Sequence, residues 1–389
     1  MIAVIIFWGL VFLLFHSYVL FPVLLSFLSR NRENNTLVYK NPGELPSVSI
    51  LMSVYNEKKV IREKIHSILN TSYPLHKIQI LIGSDHSTDG TDEILKELKR
   101  EEPFLQLYFM EERRGKGGVI NTLFREAEGN ILVLTDANVI LQRNTLYELV
   151  KHFKNPDIGL VDSYMLNTGI KKDGISYQEM AYISREIRIK NREGKIWGCM
   201  MGPSGGCYAV RRELFAPIPE TILVDDFYIN MLVLEKGYRS VNELHARVYE
   251  DVSNDLREEF RRKVRIAAGN FQNLVRFRKL LWPITRGCGF CFFSHKLIRW
   301  TGPFILIFLL ITNLLIFQHH AVYQITLLIQ AILLAIPIID QFLRKIQIHI
   351  VILRFVTHFY AMNLALLAGF LKNLKGIRTN VWQPTRRYQ

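Results

Sequence analysis

ILVLTDANVI, residues 131–140, decides the fold. Ile131, Leu132, Val133 and Leu134 run without a polar break, the pattern of a strand buried on both faces. The run then stops on Thr135, Asp136, Ala137 and Asn138, a carboxylate followed two residues later by an amide. An acid there either caps the next helix or carries an oxygen ligand to the edge of a sheet.

Upstream, the chain alternates. SVSILMSVY (47–55), IQILIGSD (78–85) and LQLYFM (105–110) read as strands. EKKVIREKIHSILN (57–70), TDEILKELKR (91–100) and GVINTLFREAE (118–128) show apolar residues at helical spacing. This order predicts an α/β domain with a mostly parallel sheet covered by helices. Ligands of such sheets gather outside the carboxyl ends of the strands. The four strand ends lead into SVYNE, SDHSTDGT, EERRGKGG and TDAN, so Glu57, Asp85, Asp89, Arg114, Lys116, Asp136 and Asn138 should collect on one edge. A single acid is cheaply explained as a cap, and Ser87, Thr88 and Asp89 suit that role. Acids and cations converging together do not reduce to caps.

Residues 1–29 contain no Lys, Arg, Asp or Glu. A bilayer span needs about 20 apolar residues. The stretch lacks a basic n-region and a small-residue cleavage site, so it reads as a retained transmembrane anchor rather than a signal peptide. Arg30 and Arg32 follow it, which places the next domain in the cytoplasm. Apolar runs return over 301–339, expected as two transmembrane helices after an interfacial segment at 286–300. A third run, 347–371, is broken by His349, Arg354 and His358. It fits either a returning transmembrane helix or an interfacial one. The tail, 372–389, is basic and prefers the cytoplasm.

The net charge is +14. No nucleic-acid motif is present, and cations such as Arg276, Lys279, Lys296 and Arg299 crowd near the apolar segments. Membrane headgroups and phosphate-bearing substrates account for them better than nucleic acid. The four cysteines lie in or beside the cytoplasmic part and are expected as free thiols. Cys288 and Cys291 form one C-x-x-C, but no second pair completes a zinc site.

Further pieces follow in order: GPSGGCYAVRREL (202–214), VDDFYINMLVLEKGYR (224–239) and RRKVRIAAGN (261–270). With SVYNE, SDHSTDGT, RRGKGGVIN and TDAN, the region from about 45 to 300 resembles glycosyltransferase family 2. The apolar flanks are similar to its membrane-integrated branch, which includes hyaluronan, chitin and cellulose-type synthases and lipid-acceptor transferases. The resemblance implies a GT-A fold (Rossmann-like, mostly parallel sheet) over 45–285 and inverting transfer from a nucleotide-sugar donor. Integral membrane localisation, such as a bacterial inner membrane, and a membrane-associated lipid or glycan acceptor are further implications.

Residue by residue, Asp136 matches the first acid of the family's D-x-D and Asn138 the second, so these two would hold Mg²⁺ or Mn²⁺. Hard cations prefer oxygen ligands, and the metal neutralises the leaving diphosphate. Tyr55, Glu57 and Asp85 match nucleotide-contacting positions, although Glu57 also suits a helix-start acid. Lys116 is placed to meet phosphate or base, or else sits in a solvated turn. Asp226 matches the general base, with Asp225 as helper. Gly205 and Gly206 match the loop walling donor sugar and acceptor. Arg211 and Arg212 are either part of that loop or solvated helix-start residues. Arg262 and Arg265 suit the diphosphate. The processive members' Q-x-x-R-W reads here as Arg262, Lys263, Val264, Arg265 and Ile266. Ile266 cannot stack on an acceptor sugar, so one-sugar transfer is the first expectation. A processive polysaccharide synthase or a non-catalytic donor-binding scaffold is the alternative. Trp282 and Trp300 are expected in an interfacial belt.

Overall fold

The computed structural model describes residues 1–169, 176–251, 255–377 and 379–381. The expected strands form as β1 (Val48–Val54), β2 (Ile78–Ser84), β3 (Gln106–Phe109) and β4 (Ile131–Thr135). They are followed by β5 (Val139–Leu141), β6 (Ile158–Thr168), β7 (Cys207–Arg211) and β8 (Arg239–Asp251). The sheet order is β3-β2-β1-β4-β7-β6-β8-β5. The β1–β4 half is parallel, and β7 pairs antiparallel with both β4 and β6. The result is a mixed α/β sheet of GT-A type, mostly parallel. All five residues of β4 are buried, as ILVLT demands.

Ahead of the domain runs α1 (Ile2–Leu28), and the helices of the domain are α2 (Ile61–Leu69), α3 (Thr91–Glu101), α4 (Gly115–Arg125), α5 (Thr145–Val150), α6 (Ser176–Trp197), α7 (Asp225–Glu235) and α8 (Leu256–Arg276). Helix α2 begins four residues later than its sequence suggests. Its expected first turn is tied to the next loop instead: Glu57 N donates to Thr91 Oγ1 (3.0 Å) and Lys58 N to Asp89 Oδ2 (3.1 Å). Asp89 also accepts from Thr91 N (3.0 Å), where α3 starts, so it is a latch as well as a cap.

Beyond the domain lie α9 (Gly287–Trp300), α10 (Gly302–Ile316), α11 (Ala321–Lys345) and α12 (Val351–Leu374). Helices α1, α11 and α12 are each long and apolar enough to cross a membrane, whereas α9 and α10 form a pair bent by 65°. Helix α12 packs along the domain. Phe355 meets Tyr177, His358 meets Glu179 at 3.2 Å, and Phe370 meets Phe271. Gly369 sits so close to Ala267 that a Cβ has no room. Arg354, which interrupts the apolar run, pairs with Asp340 at 3.3 Å.

Two expectations are corrected. Cys199 and Cys288 are joined in a disulfide, with Cα atoms 5.2 Å apart, while Cys207 and Cys291 are free and buried. The ends of α6 and α9 meet in space, a pairing across 89 residues that no local spacing reveals. Trp300 is not in an interfacial belt. It is buried, with its ring 5.3 Å from that of Phe227, whereas Trp282 is 74% exposed. In the basic tail, Arg378, Arg386 and Arg387 lie outside the described residues.

Candidate functional site

The carboxyl ends of β1–β4 open on a cavity of about 490 Å³. Tyr55, Glu57, Asp85, Lys116, Asp136, Asn138, Gly205, Gly206, Asp225, Asp226, Arg262 and Arg265 all line it. The sheet explains much of this convergence. The antiparallel pairing of β7 with β4 sets Thr135 opposite Cys207. Asp136 N and Thr135 Oγ1 each donate to Gly206 O at 3.0 Å, joining the TDAN turn to the glycine loop.

At one end, Asp85 is buried and already engaged. It accepts from Arg113 Nε (2.9 Å), Arg114 N (2.6 Å) and Gly115 N (3.1 Å). The Arg113 guanidinium lies 3.3 Å from the centroid of the Tyr55 ring, a stacked cation–π contact. Together they form a flat, charged surface beside the loop that leads into α4.

At the centre, Lys116 Nζ lies 2.8 Å from Asp136 Oδ1 and 3.5 Å from Asp225 Oδ2. Burial works against its charge, but Asp136, Asp225 and Asp226 outweigh it and hold the ammonium above its usual range. Lys116 is thus the second residue of α4 and not part of a solvated turn. Asp225 and Asp226 open α7. Burial, then the neighbouring Asp225 carboxylate, push Asp226 up to about 7, while Lys116 pulls it down. Phe227 N donates to Asp226 Oδ1 at 2.7 Å. Gly205 has φ +87°, and a Cβ there would crowd Asp226 Oδ2, so this position needs glycine twice over.

At the far end stand Arg262 and Arg265 of α8, with Ile266, Tyr182, Lys296 and Trp300. Burial lowers Arg265, and Arg262 adds repulsion; burial also opposes Arg262, but Glu259 and Glu250 more than offset it.

The donor set around Asp136 fits a hard cation. Asp136 offers carboxylate oxygen to the cavity. Asn138 uses its amide N–H to donate to Glu250 Oε1 at 3.1 Å, which leaves its carbonyl oxygen as the ligating atom. No group of three or more His, Cys, Asp or Glu arranged for a metal occurs among the described residues. Asp136 and Asn138 thus offer two oxygen donors, and a divalent cation held there would complete its shell from phosphate and water oxygens.

Several contributors were not singled out from sequence. Arg113 sits in the RRGKGG segment without a distinguishing signal. Glu250 lies in β8, where no motif marks it. Asp162, buried in β6, accepts from Lys190 Nζ (3.0 Å) and Ser204 N (3.1 Å), which ties down the GPSGG loop. Lys64 is fully buried below the TDAN turn, donating to Thr135 Oγ1 (2.7 Å) and to Val139 O. Its signal was visible: it falls between Ile61, Ile65 and Ile68 on the apolar face of α2. Arg211 and Arg212 lie at a helix start rather than in the loop wall: Arg211 ends β7 as the N-cap of a short 3-10 helix, donating to Ile158 O (2.8 Å), Phe153 O and Asn155 O, and the exposed Arg212 opens that helix.

Residues 49–218 match the profile of the family described as Glycosyl transferase family 2. The chain is 23% identical over 261 residues to the probable glycosyltransferase YdaM of Bacillus subtilis, covering 64% of this chain and 60% of that protein. It is 26% identical over 243 residues to the poly-beta-1,6-N-acetyl-D-glucosamine synthase of Staphylococcus aureus, covering 61% and 57%. The match therefore spans less than two thirds of either relative. Among solved structures, the mannosyltransferase PcManGT of Pyrobaculum calidifontis, in complex with GDP-Man and Mn²⁺, superposes with a TM-score of 0.69 at 22% identity. That likeness covers 95% of this chain and 99% of PcManGT, and it establishes the fold.

Proposed function

We propose that this chain, which matches the Glycosyl transferase family 2 profile over residues 49–218, transfers one sugar from a nucleoside diphosphate donor to a membrane-associated acceptor, with inversion. One observation carries the reading: a carboxylate poised near neutrality, Asp226, faces the same cavity as the cation-bridged pair Asp136 and Asp225. A general base works best when its pKa lies near the operating pH.

In this reading Asp226 takes the proton from an acceptor hydroxyl. The freed oxygen attacks the anomeric carbon, and the bond from that carbon to the diphosphate oxygen breaks. Asp225 holds Lys116 in place. Lys116, Arg262 and Arg265 neutralise the departing diphosphate as charge builds on it. A divalent cation held by Asp136 and Asn138, when bound, supplies further charge neutralisation at that diphosphate. Tyr55, with Arg113 stacked on it, receives the nucleoside; Glu57 and Asp85 shape the loops beside it. Gly205 and Gly206 let the backbone approach the donor sugar.

A UDP-sugar is the proposed donor class, and the similarity to the N-acetyl-D-glucosamine polymer synthase fits an N-acetylhexosamine as the sugar. The apolar helices and the cavity's end at Lys296 and Trp300 favour an acceptor held at a membrane, and Arg30 and Arg32 just after α1 favour the cytoplasmic side for the domain. Single transfer is favoured over processive synthesis because Ile266 lines the cavity where the processive pattern has tryptophan.

The test is donor turnover. Purified protein with lipid extract and Mn²⁺ or Mg²⁺ is assayed for nucleoside diphosphate release from a panel of UDP- and GDP-sugars. Release from one donor, dependent on metal and lost in Asp226→Asn, is the expected result. Nucleotide binding without release from any donor would overturn it in favour of a donor-binding scaffold.

A further inference from the structure

The glycine loop that presents Lys116 is not closed by its own neighbours. Its cover comes from the far end of the chain. Asn380, buried to 6% exposure, lays its side chain over both glycines that flank Lys116. A Cβ at Gly115 would overlap Asn380 Oδ1, and one at Gly117 would stand 2.9 Å from Asn380 Nδ2. Gly115 also needs φ +71°, so the notch is open only because both residues are glycine. The strap is anchored beside the notch. Asn380 N donates to Glu220 O at 3.0 Å, and Val381 N to Thr379 Oγ1 at 3.1 Å. The receiving loop is tied to α4 in turn: Asn121 Nδ2 donates to Ile218 O, and Ile218 N donates to Asn121 Oδ1, both at 2.8 Å.

A buried amide side chain in a glycine notch fixes the position of the first turn of α4. That turn carries Lys116, whose ammonium reaches Asp136 and Asp225. Burying and ordering a tail is entropically costly, so a segment that docks here must be offset by the contacts it makes. The strap also begins within a few residues of Leu374, the last residue of α12. At about 3.3–3.6 Å per extended residue, the link from α12 to Asn380 spans at most ~20 Å.

We infer that Asn380 is a positioning residue for Lys116, and that its docking in the glycine notch supports donor diphosphate binding through that lysine. The inference rests on the donor site proposed above. Its experiment has two readouts on the full-length protein. The first is hydrogen exchange of the 113–120 segment in wild type and in Asn380→Ala. Exchange of these amides is expected to quicken about tenfold in the variant, as local opening becomes easier. This readout is independent of any nucleotide.

The second is the Kd of UDP and of GDP in a double-mutant cycle with Lys116→Ala. Asn380→Ala is expected to weaken nucleoside diphosphate binding about tenfold in the Lys116 background and by less than twofold in the Lys116→Ala background. An equal loss in both backgrounds would overturn positioning through Lys116, because a merely structural role does not distinguish them. Unchanged exchange would overturn the latch itself. If wild type binds neither nucleotide while exchange responds as expected, the donor-site reading fails and the coupling to diphosphate fails with it.

Discussion

The two ends of the cavity manage charge in opposite ways. On the nucleoside side, opposite charges are paired: Asp85 accepts three donors, and Arg113 is both bonded to it and stacked on Tyr55. On the catalytic side, like charges adjoin: Asp225 beside Asp226, and Arg262 beside Arg265. Paired charges fix a shape before any ligand arrives. Adjoining like charges leave groups whose protonation and partners a substrate can change, which is how functional sites commonly perturb acidity.

Asp226→Asn is the sharpest way to break this contrast. Loss of a general base is expected to slow transfer about 10²–10⁴-fold, while nucleotide affinity stays near wild type. The same substitution should raise the melting temperature at pH 8. The folded state holds the Asp226 proton up to about pH 7 whereas the unfolded chain releases it near its ordinary value of 3.8. The fold thus binds more protons across that window, and stability falls as pH rises through it. The variant removes that loss, and thermal melts at pH 5 and pH 8 check the sign. In wild type the rate should climb through an acidic limb near pH 7. A limb below pH 5 would break the comparison, because burial and the adjoining Asp225 would then not be raising Asp226.

A smaller effect is expected at the other wall. Trp300→Leu removes an aromatic body packed on Phe227 at the acceptor end. Transfer to acceptor should fall about tenfold, the scale of one lost aromatic contact, with the Kd of nucleoside diphosphate unchanged in titration. A matching loss of nucleotide affinity would mean that the two ends are one site.

The smallest effect belongs to Lys64. Burial lowers its ammonium to about 8, and Cys207 and Asp136 only partly restore it. The folded state therefore gives up this proton before the unfolded chain does, and stability should rise from pH 8 towards 10.5. Lys64→Met should flatten that rise and change activity by less than about threefold, since it acts behind the turn rather than in the cavity. Melting curves across pH 8–10 read the slope.

The same contrast explains what the sequence disclosed. Strands β1, β2 and β4 announce themselves because a strand buried on both faces carries an apolar run, here ILM, ILI and ILVL, while β3 at the sheet edge is only half-buried. The turns after them are polar because they leave the core together. The β5–β8 half was not legible as strands. Strand β6 buries Asp162 and Ser163, and β8 buries Asn242 and Glu243, so neither shows an apolar run or clean alternation. Those polar residues satisfy one another: Asn242 Nδ2 reaches Ser163 O at 2.9 Å, and Glu243 meets His152 at 2.7 Å. Such pairing exists only after folding, as does the contact of Asn380 with Gly115 and Gly117. The family motifs marked Asp136 and Asp226, but Glu250 and Asp162 act through those positions from strands that no motif covers.

The docking of Asn380 on the catalytic domain also fixes a parity. The chain leaves the domain after α8 and is back against it at residue 380. In a bilayer, an excursion that ends on the side where it began makes an even number of crossings. Helix α12 already lies along α8. At 1.5 Å per residue, α10 alone extends about 22 Å, short of a hydrocarbon core of about 30 Å, so the pair α9–α10, bent by 65° at their junction, is either one broken span or a re-entrant loop, and the even count is met in either case by pairing it with α11 or by pairing α11 with α12.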